Sequence, residues 1–426
     1  MRKFRISAYI LFIISLFIKY ISSKYSYIVE NYYSKNIDIY IVKFLSKLNS
    51  TFSFSYFEIL IYIFVLSIII SIIYLIRKGF KGKKAFFSSL KNIILNYIGV
   101  LCFIYFLFII LWGINYNRES LIESIKDEYK ANITQSIRKK EDDVESKDYK
   151  QTYIKDIDNK EFEKVDLKNL YEYLIKECNK TKKEVNTSNS DMKNDIKSIK
   201  DMISKLENGY DNVELLNLNN LGNYSKAKII LNSKLLSYTN ITGIYSPFTG
   251  EANINTNQPN TSIPFTILHE MAHQRGYANE SEANFLAYLA CINNKDISVK
   301  YSGYFMALKY TASALSKVDY ESFKYLTENI DGVDMVGFLK GNSEMTKRLN
   351  RFGYATVSLG DIRINCHEFH KSKVNLNEEA IYDVIKTSYT GEEIKWKCGY
   401  KKNNTLAGYP HVHFFGNLDF IKRLLK

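Results

Sequence analysis

Cysteine is scarce: Cys102, Cys178, Cys291, Cys366 and Cys398 are an odd five in 426 residues, with no CxxC spacing. That excludes a disulfide scaffold and a cysteine-ligated zinc knuckle. No GxxxxGK[ST] stretch is present to hold ATP. No basic–aromatic motif stands out either, so nucleic acid is not an expected partner. Acidic residues fall short of basic ones, 45 against 58, for a net charge of +13. With Ile, Asn, Lys and Tyr all in excess, this surplus reads first as compositional bias and only second as affinity for a membrane surface. A hydrophobic content of 46% excludes a disordered chain, and 24% charged residues exclude a chain made wholly of spans. The length implies two to three domains.

Long uncharged runs are what the chain does have. Residues 59–76 and 93–114 carry no charge and are each long enough to cross a hydrocarbon core as a helix. A first run, Ile6 to Ile18, continues to Ile21 past Lys19, whose side chain can snorkel. No small-residue cleavage site follows, so it reads as an uncleaved anchor rather than a signal peptide. Arg2, Lys3 and Arg5 precede the first run. Arg77, Lys78, Lys81, Lys83, Lys84 and Lys91 separate the second and third with no acid among them. The positive-inside rule puts both basic stretches in the cytoplasm and everything after Trp112, an interfacial anchor, outside. Residues 1–117 are thus expected to hold three spans, at about 6–23, 57–76 and 93–114. The lipid bilayer is the first expected partner.

Residues 118–225 are dense in Lys, Glu and Asp and read as a helical charged spacer. Leu167, Leu170, Tyr171, Leu174 and Cys178 form one stripe of an amphipathic helix there, and 183–195 reads as a loop. From 226 to 333 the texture changes. KAKIIL and ANINTN read as short strands around a Gly/Pro-punctuated loop. A helix then opens, with Ser262 as N-cap, Pro264 in the first turn and Gly276 as its stop.

Inside that helix stands His269-Glu270-Met271-Ala272-His273, an HExxH motif. Residues four apart share a helix face, so both imidazoles can hold one Zn²⁺, and Glu270 can serve as general base toward water. A catalytic zinc needs a third protein ligand and an open position. The next helix offers Glu280 and Glu282 in its first turn. Glu280 is preferred, because Glu280-x-x-x-Asn284 is similar to the ExxxD spacing of gluzincins, in which the later residue orients a ligand imidazole. Asn284 can do this as an uncharged acceptor. Asn279 stands where a metzincin would have His. Tyr245 and Tyr277 are candidates for stabilising an oxyanion.

The runs from Gly243 to Asn253, Pro264 to Gln274 and Glu280 to Leu286 together resemble an uncharacterised bacterial membrane-protein family, "domain of unknown function 3810". The resemblance extends from residue 1 to about 330. It implies a membrane-anchored zinc metallopeptidase with N-terminal spans and an extracytoplasmic HExxH domain.

The tail, residues 334–426, resembles something else. Residues 335–359, 362–374 and 396–420 look like the C-terminal end of cobyrinate a,c-diamide synthase, where a class I-like glutaminase domain ends. The resemblance implies that His411 is the triad histidine. It also implies that His367, Glu368, Phe369 and His370 belong to an HEFHYS-like signature, with Lys371 in place of its Tyr. A glutaminase needs a cysteine nucleophile at a strand-to-helix elbow. In that family it lies well upstream, where this chain is metallopeptidase-like; Cys291 falls within the second helix, and Cys366 and Cys398 stand elsewhere. Glutamine hydrolysis and corrinoid amidation are therefore not expected. Strands such as ATVSL and HVHFF are expected to lack neighbours. The junction reads as a fusion of two gene fragments. A zinc site made of His367, His370, His411 and His413 is a further alternative for the tail.

These readings combine into a membrane-anchored, mainly α protein. Three transmembrane helices lead to an α+β gluzincin-like zincin domain, followed by a C-terminal α/β fragment of a glutaminase domain. The expected function is zinc-dependent hydrolysis of an unknown peptide or protein substrate outside the cytoplasm. The alternatives are a non-catalytic membrane sensor or scaffold that keeps the metal site, and a cobalamin-biosynthesis amidotransferase fragment.

Overall fold

The structure, a computed structural model, describes residues 2–126, 163–188, 196–211, 213, 224–329, 341–346, 350–370, 372–388, 391–402, 405–412 and 417–424. Residues 127–162 of the charged stretch, and Lys371 and His413 in the tail, lie outside the described residues. The chain divides into two compact units, Met1–Phe323 and Lys324–Lys426.

The first unit begins with α1 (Arg2–Ser22). A π-helical segment, Val29–Ile37, then runs directly into α2 (Asp38–Asn49). Next come α3 (Tyr56–Gly79) and α4 (Lys83–Leu111); with α1, these are the three helices among the described residues that are long and apolar enough to cross a membrane. Ser55 caps α3 by accepting from the Glu58 backbone N–H. In a helix all backbone groups are paired internally, so α3 can leave Ile63, Leu66 and Ile70 exposed to an apolar medium. Small and hydroxylic residues bring the helices together. Gly99 of α4 lies against Arg5 of α1, and Tyr97 of α4 exchanges hydrogen bonds with Ser67 and Ser71 of α3, each at 3.1 Å. The third helix starts at Lys83, ten residues before the uncharged run expected at 93. Lysines limit where lipid can lie, but they are good helix formers and do not stop the helix.

Beyond α4 comes a 3₁₀ turn (Gly113–Asn117). Helices α5 (Lys164–Ser188) and α6 (Ile196–Lys205) follow. Here the spacer departs from its sequence reading. Helix α5 continues through Ser188, so 183–188 is not loop. Its buried stripe is Tyr171, Leu174, Ile175, Cys178 and Val185, with Leu170 exposed: the face is rotated by one residue, to the i, i+3, i+4 set. Ile199, Met202, Ile203 and Leu206 enter the same core as the HExxH helix.

That core is built on a three-stranded sheet of order β1–β3–β2: β1 (Lys228–Ile229), β2 (Gly243–Ser246) and β3 (Glu251–Ile254). β1 is parallel to β3, and β2 antiparallel to it. Against the sheet packs α7 (Ile263–Gln274), and α8 (Glu280–Ile292) and α9 (Ile297–Val318) pack on α7; α10 (Tyr320–Asn329) follows. Ile263, Ile267, Leu268 and Met271 of α7 are fully buried, and Tyr210 donates its hydroxyl to the Leu268 carbonyl at 2.8 Å. Truncating Leu268 to Ala would cost about 2–5 kcal/mol through the cavity it leaves. Ser262 is not the side-chain cap expected of it: a 3₁₀ turn, Asn260–Ser262, carries the chain into α7, and Ser262 makes no cap hydrogen bond.

The second unit is an α/β region with a sheet of its own. Its strands are β4 (Gly341–Met345), β5 (Arg351–Leu359), β6 (Ile362–His370), β7 (Ser372–Leu376), β8 (Ala380–Thr387), β9 (Glu393–Lys402), β10 (Thr405–Ala407) and β11 (His411–Val412), and α11 (Leu418–Leu424) follows them. Six strands run β10–β9–β8–β5–β6–β11, every neighbouring pair antiparallel, while β4 pairs with β7. The expectation that the tail's strands lack neighbours is therefore corrected. ATVSL sits in β5, between β6 and β8. The physical reason is local: a two-residue turn at Gly360 (φ +64°) and Asp361 folds β6 back on β5 without any upstream segment. Val357, Ile364, Cys366, Val384 and Cys398 then fill one buried face, with Phe420 of α11 against them.

Candidate functional site

The site grows from the end of α7. Gly276 (φ +82°) closes the helix in a Schellman turn: its N–H bonds the His273 carbonyl at 2.9 Å, and the Tyr277 N–H bonds the Ala272 carbonyl at 3.3 Å. The turn brings the Tyr277 carbonyl to 2.7 Å from His273 Nδ1. Asn279 then caps α8 by accepting from the Ser281 and Glu282 N–H groups, so α8 starts immediately, with Glu280 facing α7.

His269, His273 and Glu280 come together. His269 Nε2 lies 3.2 Å and His273 Nε2 3.5 Å from the Glu280 carboxylate, and the three ligand atoms fall within 4.8 Å of one another. The two rings are nearly perpendicular, at 86°. Glu282, the other candidate, is engaged elsewhere: its carboxylate accepts from the Leu121 N–H at 2.7 Å. Asn284 lines the same cleft, but its Oδ1 has no partner. The imidazole of His273 is held instead by the Tyr277 carbonyl, while His269 Nδ1 has no hydrogen-bond partner among the described residues.

This donor set can be tested against a metal. A carbonyl accepts only, so His273 carries its proton on Nδ1, and in the neutral ring Nε2 presents a lone pair to a carboxylate. Two acceptors 3.5 Å apart repel unless a cation or proton lies between them. A tetrahedral zinc with bonds of about 2.0–2.1 Å sets its ligand atoms roughly 3.3 Å apart, close to the 3.2 and 3.5 Å between the two imidazoles and Glu280. The residues present fit the ion.

Glu270 is buried, and its Oε2 has no hydrogen-bond partner. Burial pushes its carboxyl up, and the imidazoles of His269 and His273 draw it part of the way back. Glu280, whose side chain is exposed, is held well below the usual carboxylate range by the imidazoles it faces, His269 first and then His273. Gly243 of β2 lets Glu270 sit where it does, since a Cβ there would stand 2.5 Å from Glu270 Oε1.

The cleft over these residues measures about 430 Å³ and is walled by Gly243 of β2 and Thr242 before it, with Phe265, Tyr310, Trp112 and Tyr116. Tyr245 lines it with a buried, unpartnered hydroxyl. Tyr277 does not line it; its ring lies under the Arg118 guanidinium at 4.1 Å. Arg118 also donates to the Gly276 carbonyl at 3.0 Å and forms a two-pronged pair with Glu30 at 2.8 and 2.9 Å, bracing the turn that positions His273. Sequence reasoning missed Tyr310, Tyr116 and Arg118. No local pattern marks them, and the sequence presents Trp112 only as an interfacial anchor.

In the second unit His411 lies on edge strand β11, in register with His367, which is in turn opposite Tyr354. Partners in register share a sheet face, and successive residues alternate. Cys366, next to His367, therefore points to the opposite, buried face, together with Cys398. Among the described residues, no cysteine shares His411's face of the sheet.

Comparison with known proteins separates the same two parts. Residues 320–418 match the CobB/CobQ-like glutamine amidotransferase domain. The cobyrinate a,c-diamide synthase of Clostridium acetobutylicum is 57% identical over 110 residues, covering 24% of this chain and 25% of that protein. Its counterpart in Clostridium tetani is 47% identical over 114 residues, 24% of this chain and 26% of that protein. That of Listeria monocytogenes is 38% identical over 103 residues, 22% and 23%. The chain thus spans about a quarter of the length of these curated relatives. No solved structure matches. The longer match runs over residues 33–336, taking in two of the candidate spans, the HExxH helix and the turn that follows it. Since it covers well over half of the sequence, the chain belongs to the family described as a protein of unknown function (DUF3810).

Proposed function

We propose that the first unit is a membrane-anchored, zinc-dependent peptide hydrolase of gluzincin type, carried on the extracytoplasmic side. The observation that supports this most is the convergence of His269 Nε2, His273 Nε2 and the Glu280 carboxylate beside an unpartnered Glu270 oxygen. His269, His273 and Glu280 would hold the ion, with the Tyr277 carbonyl keeping His273 in the right tautomer. Zinc, when bound, supplies Lewis acidity toward a carbonyl and lowers the pKa of water. Glu270 takes a proton from the attacking water at Oε2 and returns it to the leaving amine, a task favoured by its raised pKa. Tyr310 lines the cleft, where burial first and then the nearby Glu280 charge raise its hydroxyl, and it would donate to the developing oxyanion. A peptide substrate is favoured because β2 is an edge strand of its sheet and walls the cleft, so it can pair with an extended chain.

The test is Glu270→Gln. The variant should keep one zinc per chain by atomic absorption and lose cleavage of a randomised peptide pool read by mass spectrometry. Retained cleavage removes Glu270 from the mechanism; a pool uncut by the wild type favours a non-catalytic sensor. Side is tested by cysteine labelling in intact cells at exposed Tyr238 and Phe80. An impermeant reagent should reach Tyr238→Cys and not Phe80→Cys, and the reverse would overturn the orientation.

A second reading concerns the tail, whose relatives are named as cobyrinate a,c-diamide synthases. Because the described tail offers His411 no cysteine on its own face, it is read as a folded but glutaminase-inactive unit.

A further inference from the structure

The hydrolase reading leaves open where its substrate comes from, and the first unit bears on that. Counting back about 30 Å from Leu111 at about 1.5 Å per residue reaches Lys91, the last charge on α4, so the apolar part of the helix ends at Leu111. The next residue, Trp112, already belongs to the cleft: its ring lies 5.9 Å from that of His273 and 4.8 Å from that of Tyr245. The candidate ligands therefore stand on the order of 10 Å from the end of the span, while the headgroup layer of one leaflet is about 5–7 Å deep.

The other two spans are fastened just as tightly at this end. At the start of α3, the Tyr56 and Phe57 N–H groups donate to Glu251 of β3, and the Glu58 carboxylate accepts from the Leu231 and Asn232 N–H groups. At the end of α1, Ser22 accepts from Asn117 at 2.7 Å. Among the described residues, each span thus ends in hydrogen bonds to the domain or to the turn that enters it.

Between α1 and α3 lies a fourth piece of this floor. The polar face of α2 is buried on the domain: Asp38, Ser46 and Asn49 are covered, and Asn49 donates to the Thr249 carbonyl at 2.8 Å. Its other face carries Tyr40, Phe44 and Leu48, four residues apart and 73%, 63% and 55% exposed. Tied at both ends to membrane-crossing helices, this aromatic face has the lipid interface as its occupant, where amphipathic helices and tyrosines settle.

We propose that the cleft opens at the lipid–water boundary and takes polypeptides anchored in the same membrane, cutting within a few residues of their transmembrane or acyl anchor. This rests on the hydrolase reading, but its geometry can be checked without it. The chain has two tryptophans, so Trp396→Phe leaves Trp112 as the sole reporter. In phosphatidylcholine vesicles, lipids brominated near the headgroup should quench Trp112 more than lipids brominated near the chain ends. Absence of quenching by either overturns the inference.

Activity supplies the second arm. Randomised fluorogenic peptides carrying a palmitoyl chain, on spacers of about five or about thirty residues, are compared with the unacylated pool on zinc-loaded full-length protein in the same vesicles. The short-spacer pool should be cut at least as fast as the long one, and roughly tenfold faster than the unacylated pool. A short-spacer pool that resists while the long one is cut puts the cleft above the bilayer and overturns the inference alone. If all three pools stay intact, the hydrolase reading fails and the substrate class with it.

Discussion

The two units use the same residue types to opposite effect. In the first, two histidines four apart on α7 meet one carboxylate at the start of α8, all within twelve residues of sequence. In the second, His411 and His367 face each other across strands while Cys366, beside His367, turns away. A helix gathers residues i and i+4 on one face, whereas a strand sends neighbours to opposite faces. A site written at helical spacing comes as a local unit. One drawn from strand ends depends on segments elsewhere in the chain, and matching a quarter of a relative's length does not supply them.

The largest effects should come from the helical site. Glu270→Gln is expected to lower peptide hydrolysis by about 10²–10⁴-fold with zinc retained. Glu280→Ala should lose zinc in equilibrium dialysis, whereas Glu282→Ala keeps it. The reverse pattern would move the third ligand to Glu282.

Gly243→Ala comes next. Its new methyl would press on Glu270 Oε1 from the strand side, and misplacing a proton acceptor by about 1 Å costs on the order of 10²-fold. The expected result is a fall in kcat at unchanged zinc content; an unaltered kcat would show that Glu270 has room to move.

A smaller effect separates the units by pH. Asp38, at the start of α2, is buried with Oδ1 unpartnered, and burial pushes its carboxyl up from 3.8 to about 7 against the pull of Arg118. The folded state then holds a proton that the unfolded chain releases. Stability from this group is therefore present at low pH and lost as pH rises from about 4 to about 7, by a few kcal/mol. Asp38→Asn should raise the Tm of the first unit at pH 8 and flatten its pH dependence, with the Tm of the tail unmoved. A variant as pH-sensitive as the wild type would assign the effect to other groups.

The smallest expected effect is none. His411→Ala should change neither peptide hydrolysis nor ammonia release from glutamine, because its strand face offers no thiol. Ammonia release that His411→Ala abolishes would make the tail a working glutaminase and erase the contrast.

What could be read from the residues alone is what depends on short-range periodicity. Lipid tolerates only long uncharged helices, so 59–76 and 93–114 declared themselves. The 3.6-residue turn put His269 and His273 on one face, and Gly276 at φ +82° marked where the helix had to stop. The choice of Glu280 over Glu282 was harder, since both sit in the same first turn. Only packing bears on it: the Leu121 N–H, from a segment some 160 residues earlier, occupies the Glu282 carboxylate. Trp112, Tyr116, Arg118, Gly243 and Tyr310 joined the site in the same way, from strands, turns and helices that only packing brings together. The tail shows the other side of this limit. Its alternating strands were visible, but which strand lies beside which is set by turns such as Gly360–Asp361 and by burial of one common face. Pairing energy between strands far apart in sequence leaves no mark on the sequence of either one.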